Sequence, residues 1–322
     1  MRIERARRAG RANSAALRES GGLGAWRPAA TDTRGDVTPP DIRAPGAPRP
    51  GFQPRALVVD LDGTTVSKGA FLHPRVRTAV RDAAARMPVI VATGRMYVSA
   101  LPWVRELGVT EPLVCYEGAV VRTLPDGDDA LGAVLLEEPL RADAAVRALH
   151  LARRHDWHFQ VYEDEVLLCE RDRPEVHSYT SVAGVGFTVV LDLEPLLARG
   201  TPKAVCVIED PAGVRTCMDA MRATLAGLAR VTQSREQYVE IVSPRASKAA
   251  ACEVVCERHG ITLRDAVAIG DAPNDIELLD AAGFAVVADS GRHPDVLAHA
   301  DVTCAPPTEG GVADALEALG LS

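Results

Sequence analysis

The chain has 322 residues, 47% of them apolar and only 4% aromatic, with a formal net charge of −8. That length suits two domains with aliphatic cores. Residues 1–55 hold 11 Arg against 5 acids, so residues 56–322 carry −14, which argues against nucleic acid as the main partner; no apolar run is long enough for a membrane span.

Residues 1–55 are rich in Arg, Pro, Gly and Ala and end in "TPPDIRAPGAPRPGFQP". They are expected to form a disordered N-terminal extension. Strands and helices then alternate. "ALVVD" is a short apolar strand, "HPRVRTAVRDAAARM" has helical spacing, "PVIVATG" is a second strand, "YVSALPWVRELG" a second helix, and "PLVCYEGAVV" a third strand that runs on. The middle, 138–236, differs: a helix, two closely spaced strands ("WHFQVYED", "EVLLCE"), a short helix, a strand ("KAVCVIED"), a helix and two further strands. The alternation then resumes with "SKAAACEVVCERHG" as a helix, "DAVAIGD" a strand, "NDIELLDAAG" a helix, "FAVVAD" a strand, "HPDVLAHA" a helix, "DVTC" a strand and "GVADALEALG" a helix. Short, wholly apolar strands between helices predict a parallel sheet covered on both faces. The expected fold is α/β: a Rossmann-like parallel-sheet core (56–137 and 237–322) split by an inserted α+β domain (138–236).

Ligands of an open parallel sheet bind beyond the carboxyl ends of its strands. Here "ALVVD" ends in Asp60 and runs on to Asp62, "PVIVAT" ends in Thr93 followed by Gly94 and Arg95, and "AVAIGD" ends in Asp271, with Asn274 and Asp275 next. Lys248 opens a helix. Of the 36 basic residues only Lys68, Lys203 and Lys248 are lysines, so a lysine at this position suggests a need for a compact ammonium. Several carboxylates together need a counter-charge. Mg2+ takes oxygen ligands from one or two carboxylates and a substrate phosphate. It would leave Asp60 ionised as a nucleophile and Asp62 free to carry a proton. Thr93 would donate to a transferring phosphoryl group and Lys248 would neutralise its charge.

"DLDGTT" (60–65), "VATGR" (91–95), Lys248 in "SKAA" and "GDAPND" (270–275) together resemble, in order, the motifs of the haloacid dehalogenase-like (HAD) superfamily of aspartyl-phosphate hydrolases. The place of the insert, and the tail "FAVVADSGRHPDVLAHADVTCAPPTEGGVADAL", look like its Cof-like, subclass IIB members. The resemblance spans 56–322. It implies a C2B-type cap and a Mg2+-dependent phosphomonoesterase of the cytoplasm, monomeric or homodimeric, that acts on a small phosphorylated metabolite such as a sugar phosphate. Asp60 would be nucleophile and metal ligand; Asp62 the acid/base and a ligand through its backbone carbonyl; Asp271 a further ligand. Asp275 and Asn274 would support metal or phosphate, and Thr93, Gly94, Arg95 and Lys248 would meet the substrate. A phosphomutase of the phosphomannomutase type is the alternative, and a phosphate-binding protein without turnover a more distant one. Three positions depart from the pattern: Thr65 replaces an apolar residue, Glu117 in "YEGA" replaces Asn, and "VVADSG" (286–291) replaces a loop with Gly-Asn.

Simpler readings stand beside these. Asp-Gly-Thr is good turn chemistry, and Asp275 is also a suitable N-cap for "IELLDAAG". Cys252 and Cys256 lack the partners of a zinc site and are expected as core thiols. His150, His155 and His158 are expected to bind no metal, and Arg153, Arg154, Arg171 and Arg173 to be solvated. Lys203 is the preferred cap residue for a second anionic group on the substrate.

Overall fold

The computed structural model describes residues 52–67, 69–125, 131–289 and 293–322. The predicted N-terminal extension up to residue 51, Lys68 and part of the 286–291 loop lie outside these.

Strand β1 (Ala56–Val59) is wholly buried, as an unbroken apolar run requires. Its side chains alternate between two cores. Leu57 and Val59 face one, and Ala56 and Val58 the other. The helix Pro74–Ala84 follows, with His73 as N-cap and Pro at its start. Strand β2 (Val89–Val91) leads to the helix Tyr97–Leu107, which ends at Gly108 in the left-handed region.

The expected single strand "PLVCYEGAVV" is two. β3 (Leu113–Cys115) and β4 (Val120–Arg122) pair antiparallel across the turn Tyr116–Gly118. The turn needs three consecutive positive φ angles (53°, 60° and 87°), which a periodicity argument does not foresee. β4 also pairs with β5 (Val134–Glu137), a strand the sequence pattern did not reveal.

The insert builds its own six-stranded sheet. The helix Ala142–His155 precedes β6 (His158–Glu163) and β7 (Val166–Cys169). The helix Pro174–Ala183, β8 (Phe187–Val189) and β9 (Ala204–Val207) follow. The helix Pro211–Thr224, capped by Asp210, leads to β10 (Arg230–Thr232) and β11 (Tyr238–Val242). The order is β10-β11-β9-β6-β7-β8, antiparallel except for β7 with β8. β11 carries this sheet past the expected boundary at 236, so the chain re-enters the core only after Val242.

The helix Lys248–Glu257 and β12 (Ala266–Gly270) resume the core, followed by the helix Ile276–Ala281, β13 (Phe284–Ala288), β14 (Val302–Cys304) and the helix Gly311–Ala318. "HPDVLAHA" forms a 3-10 turn, Pro294–His299, rather than an α-helix. The core sheet is parallel, in the order β14-β13-β12-β1-β2. Its register aligns the strand ends, because Val59 pairs with both Ile269 and Val91. The residues just beyond these three strands therefore meet at one edge.

Six of the seven cysteines are buried and all are free thiols, consistent with their expected place in the core. Among the described residues no helix is long and apolar enough to cross a membrane.

Candidate functional site

Asp60, Asp271 and Asp275 converge at this edge. A carboxylate oxygen from each lies within 4.8 Å of the others, and all three residues are buried. Lys248 joins them from the first turn of its helix, where Ser247 is the N-cap. Its Nζ donates to Asp60 Oδ1 and to Asp275 Oδ1, each at 2.7 Å. Burial alone would lower the Lys248 pKa, but Asp275 and Asp60 outweigh it and hold the ammonium well above its usual range. Burial pushes the Asp60 carboxyl well above the usual carboxylate range. Lys248 opposes that rise, and Asp275 and Asp271 add to it. One ammonium among three carboxylates leaves a surplus of negative charge. A hard, all-oxygen donor set with that surplus fits a divalent cation.

Local backbone holds the cluster together. Thr64 Oγ1 donates to Asp271 Oδ1 at 3.1 Å. Gly63 has φ of 96°, and a Cβ there would stand 2.2 Å from Asp271 Oδ2; only glycine satisfies both conditions. Asp275 Oδ2 accepts from the backbone N–H groups of Asp271 (3.1 Å) and Ala272 (3.2 Å). Asp275 stands at the N-cap position of the helix Ile276–Ala281 without a side-chain cap bond there, and its carboxylate braces the cluster instead. Thr65, the first departure, donates to the Asp60 carbonyl at 2.9 Å and supports the backbone at Asp60.

Asp62 is not part of this cluster. Arg95 grips its carboxylate with two bonds, Nε to Oδ2 at 2.6 Å and Nη2 to Oδ1 at 2.8 Å. Arg235 adds Nη2 to Oδ1 at 2.8 Å. Burial opposes ionisation, but Arg95 and then Arg235 hold the Asp62 carboxyl below its usual range. Arg95 itself is steadied by Ser99 and lies over the Trp103 ring.

Asp60, Asp62, Thr93, Gly94, Arg95 and Asn274 line one cleft. Its roof comes from the insert: Tyr179, Lys203, Ser234, Arg235, Tyr238 and Glu240. Lys203 is not a free anion receptor. It is buried, and its Nζ donates to Glu240 Oε1 and to the Gly94 carbonyl, both at 2.6 Å. Of the roof residues only Lys203 was singled out from the sequence; Arg235 and Glu240 are the charged ones that sequence reasoning missed. Glu240 left a trace, as the one charge in the otherwise apolar "YVEIV". Arg235 left none, because "QSREQ" looks like any solvated turn.

Glu117 is fully buried, in left-handed backbone (φ 60°, ψ 28°). Such backbone costs a non-glycine residue about 1–2 kcal/mol. Its Oε2 accepts from Asn274 Nδ2 at 2.9 Å. Burial first and Glu240 second raise its pKa, against Lys248, Lys203 and Asn274. The acid that replaces Asn thus sits behind the cleft and orients Asn274.

The histidines lie elsewhere. His150 pairs with Glu194, His155 stacks on Trp157, and His158 is buried against Gln160. Among the described residues the only candidate metal cluster is that of the three aspartates. Arg153 pairs with Glu170 and Asp192, and Arg171 and Arg173 pair with Asp156.

Residues 57–316 match the haloacid dehalogenase-like hydrolase family. The chain is 29% identical over 270 residues to the phosphoglycolate phosphatase of Archaeoglobus fulgidus, covering 84% of this chain and 99% of that protein. It is 27% identical over 235 residues to the HMP-PP phosphatase of Serratia proteamaculans, covering 72% and 83% of the two chains. Its fold superposes on a HAD subclass IIB sugar phosphatase with a TM-score of 0.73, at 17% identity and over 83% of this chain and all of that one. A haloacid dehalogenase-like hydrolase from Bacteroides thetaiotaomicron superposes with a TM-score of 0.72, at 22% identity, over 83% of this chain and 100% of that chain. The chain belongs to the haloacid dehalogenase-like hydrolase family.

Proposed function

We propose that this haloacid dehalogenase-like hydrolase is a Mg2+-dependent phosphatase that hydrolyses a small phosphorylated metabolite through an aspartyl-phosphate on Asp60. The observation that carries this reading is the meeting of Asp60, Asp271, Asp275 and Lys248 at one sheet edge, with Asp60 lining the cleft. The names of the curated relatives support it, since both are phosphatases.

Asp60, Asp271 and Asp275, with the Asp62 carbonyl, would hold the cation, which when bound offsets the carboxylates and draws charge from the phosphoryl oxygens. Lys248 opposes the rise in the Asp60 pKa, so that with a cation bound Asp60 would be ionised, and it leaves the other carboxylate oxygen to meet phosphorus. Thr93 and Lys248 donate to the phosphoryl group as charge builds on it. In the first step the Asp60 oxygen bonds to phosphorus, the ester P–O bond breaks, and the leaving oxygen takes a proton from Asp62. In the second, water attacks phosphorus, gives its proton to Asp62, and Asp60 is released with inorganic phosphate. Arg95 and Arg235 favour the ionised form of Asp62, which suits the second step. For the first, Asp62 has to exchange an arginine for the leaving oxygen. The insert acts as a cap that excludes water and selects the substrate.

Phosphate release from a panel of phosphate monoesters, with and without Mg2+, tests the reading. Wild type should release phosphate only with the cation, and Asp60→Asn should release none. Release by the variant at the wild-type rate, or no release by wild type from any ester, refutes it.

A further inference from the structure

Strand β6 presents His158, Gln160 and Tyr162 on one face of the cap sheet, and all three are buried. Phe159 and Val161, which alternate with them, fill the core behind the sheet. The polar row is joined end to end. His158 Nε2 lies 3.1 Å from Gln160 Oε1, Gln160 Nε2 donates to Tyr162 Oη at 2.9 Å, and Tyr162 Oη donates to Tyr179 Oη at 2.6 Å. An amide oxygen only accepts and an amide nitrogen only donates. The chain therefore has one direction: His158 gives a hydrogen bond to Gln160, Gln160 to Tyr162, and Tyr162 spends its single hydroxyl proton on Tyr179. Tyr179 is the last member. Its oxygen accepts, and among the described residues nothing accepts from it. It stands on the helix Pro174–Ala183, lines the cleft and packs its ring against Tyr238, with 5.0 Å between centroids. Burial raises its pKa, so the phenol keeps the proton it has to give.

A second group at the roof is also unmet. Glu240 lines the same cleft. Its Oε1 accepts from Lys203 Nζ, but its Oε2 is buried and, among the described residues, meets no donor. A buried polar atom without a partner costs free energy. The roof thus offers one donor and one acceptor, and a hydroxyl answers both, since it accepts as well as donates.

We propose that Tyr179 and Glu240 select the substrate by hydroxyl groups on its leaving group, Tyr179 donating to a hydroxyl oxygen and Glu240 Oε2 accepting a hydroxyl proton. The preferred substrates are then phosphate monoesters of polyhydroxylated alcohols rather than of plain alkyl alcohols. This rests on the phosphatase reading above and deepens it: with the phosphoryl group against Asp60 and Thr93, the rest of the ester meets the roof. The chain from His158 is what makes Tyr179 selective. Tyr162 occupies one side of the Tyr179 oxygen, and hydrogen bonds in series polarise one another, so the last hydroxyl is a stronger donor than a lone phenol.

The test compares two esters with the same three-carbon chain, glycerol 1-phosphate and propyl phosphate, at saturating Mg2+. Wild type should show a kcat/KM at least about tenfold higher on the glycerol ester. Tyr179→Phe should lose about 3- to 10-fold on that ester, mostly through KM, and less than about twofold on propyl phosphate. This variant leaves the Tyr162 proton without its acceptor. Tyr162→Phe with Tyr179→Phe removes both hydroxyls, should show the same selective loss, and serves if the single variant does not fold. Equal losses on the two esters would make the chain a structural feature of the cap with water at its end, and would overturn the proposal. So would a wild-type enzyme that does not prefer the glycerol ester. Failure of the underlying phosphatase reading looks different, as wild type would then release phosphate from neither ester.

Discussion

Lys248→Met isolates the physics of the site. The substitution keeps most of the side-chain length and removes one charge. Lys248 is 1% exposed and makes two ion pairs of 2.7 Å. At an effective dielectric of about 20, each pair has a gross attraction of about 6 kcal/mol, much of it spent on desolvating the ammonium. Removing one partner of a buried pair leaves an uncompensated charge and costs about 3–5 kcal/mol. The variant should lose that much stability in urea unfolding with a chelator present. Mg2+ should restore a good part of it, because a cation held by the same aspartates replaces the lost charge. The stabilisation by Mg2+ should therefore be larger in the variant than in wild type. Turnover should fall about 10²- to 10³-fold with Mg2+ saturating, the usual cost of losing one donor to a developing negative charge. A stability loss below about 1 kcal/mol in chelator, or a loss equal with and without Mg2+, would refute the account of Lys248 as the counter-charge of the cluster.

Gly63→Ala places a methyl group 2.2 Å from Asp271 Oδ2 in backbone with φ of 96°; a Mg2+ titration of activity should show the requirement raised about 10- to 100-fold, with about 1–2 kcal/mol lost in stability. Glu240→Gln strands the Lys203 ammonium, which is buried against it at 2.6 Å, and should cost about 3–5 kcal/mol in urea unfolding, whereas the double change Lys203→Met with Glu240→Leu should recover most of that. His158 is a pH probe of the cap. Burial lowers its pKa from 6.5, so the folded state prefers the neutral ring. Its contribution is complete above that value and is lost as pH falls through the lower folded pKa. The wild-type urea midpoint should drop between about pH 7.5 and about pH 5 more than that of His158→Gln; equal drops would show that His158 does not titrate as described.

Much of the site was legible because it is local. "DLDGTT", "VATGR" and "GDAPND" each place a polar group at the end of an apolar strand, and parallel pairing in register brings such ends together whatever the details of the loops. The alternation of apolar strands and helices determined the core, and the break in that alternation determined that a second sheet is inserted. The scarcity of lysine marked Lys248, which holds two of the aspartates, and equally marked Lys203, whose partner it could not supply.

Tertiary structure alone decided what depends on distant pairings. Lys203 immediately precedes β9 and Glu240 lies on the neighbouring strand β11, and only their mutual burial removes Lys203 from the cleft's open charges. Arg235 lies 173 positions from Asp62 in the chain, and nothing in "QSREQ" reports that the hairpin turns inward over the strand ends. The reversal at Tyr116–Gly118 likewise depends on tertiary contact, since a Cβ on Gly118 would stand 2.2 Å from the Ser247 carbonyl. Sequence periodicity encodes which face of an element is apolar, and so it determined the sheet and the chemistry at its edge. It does not encode which charge from one domain is set against which in the other, and that pairing is what settles the electrostatics of the cleft.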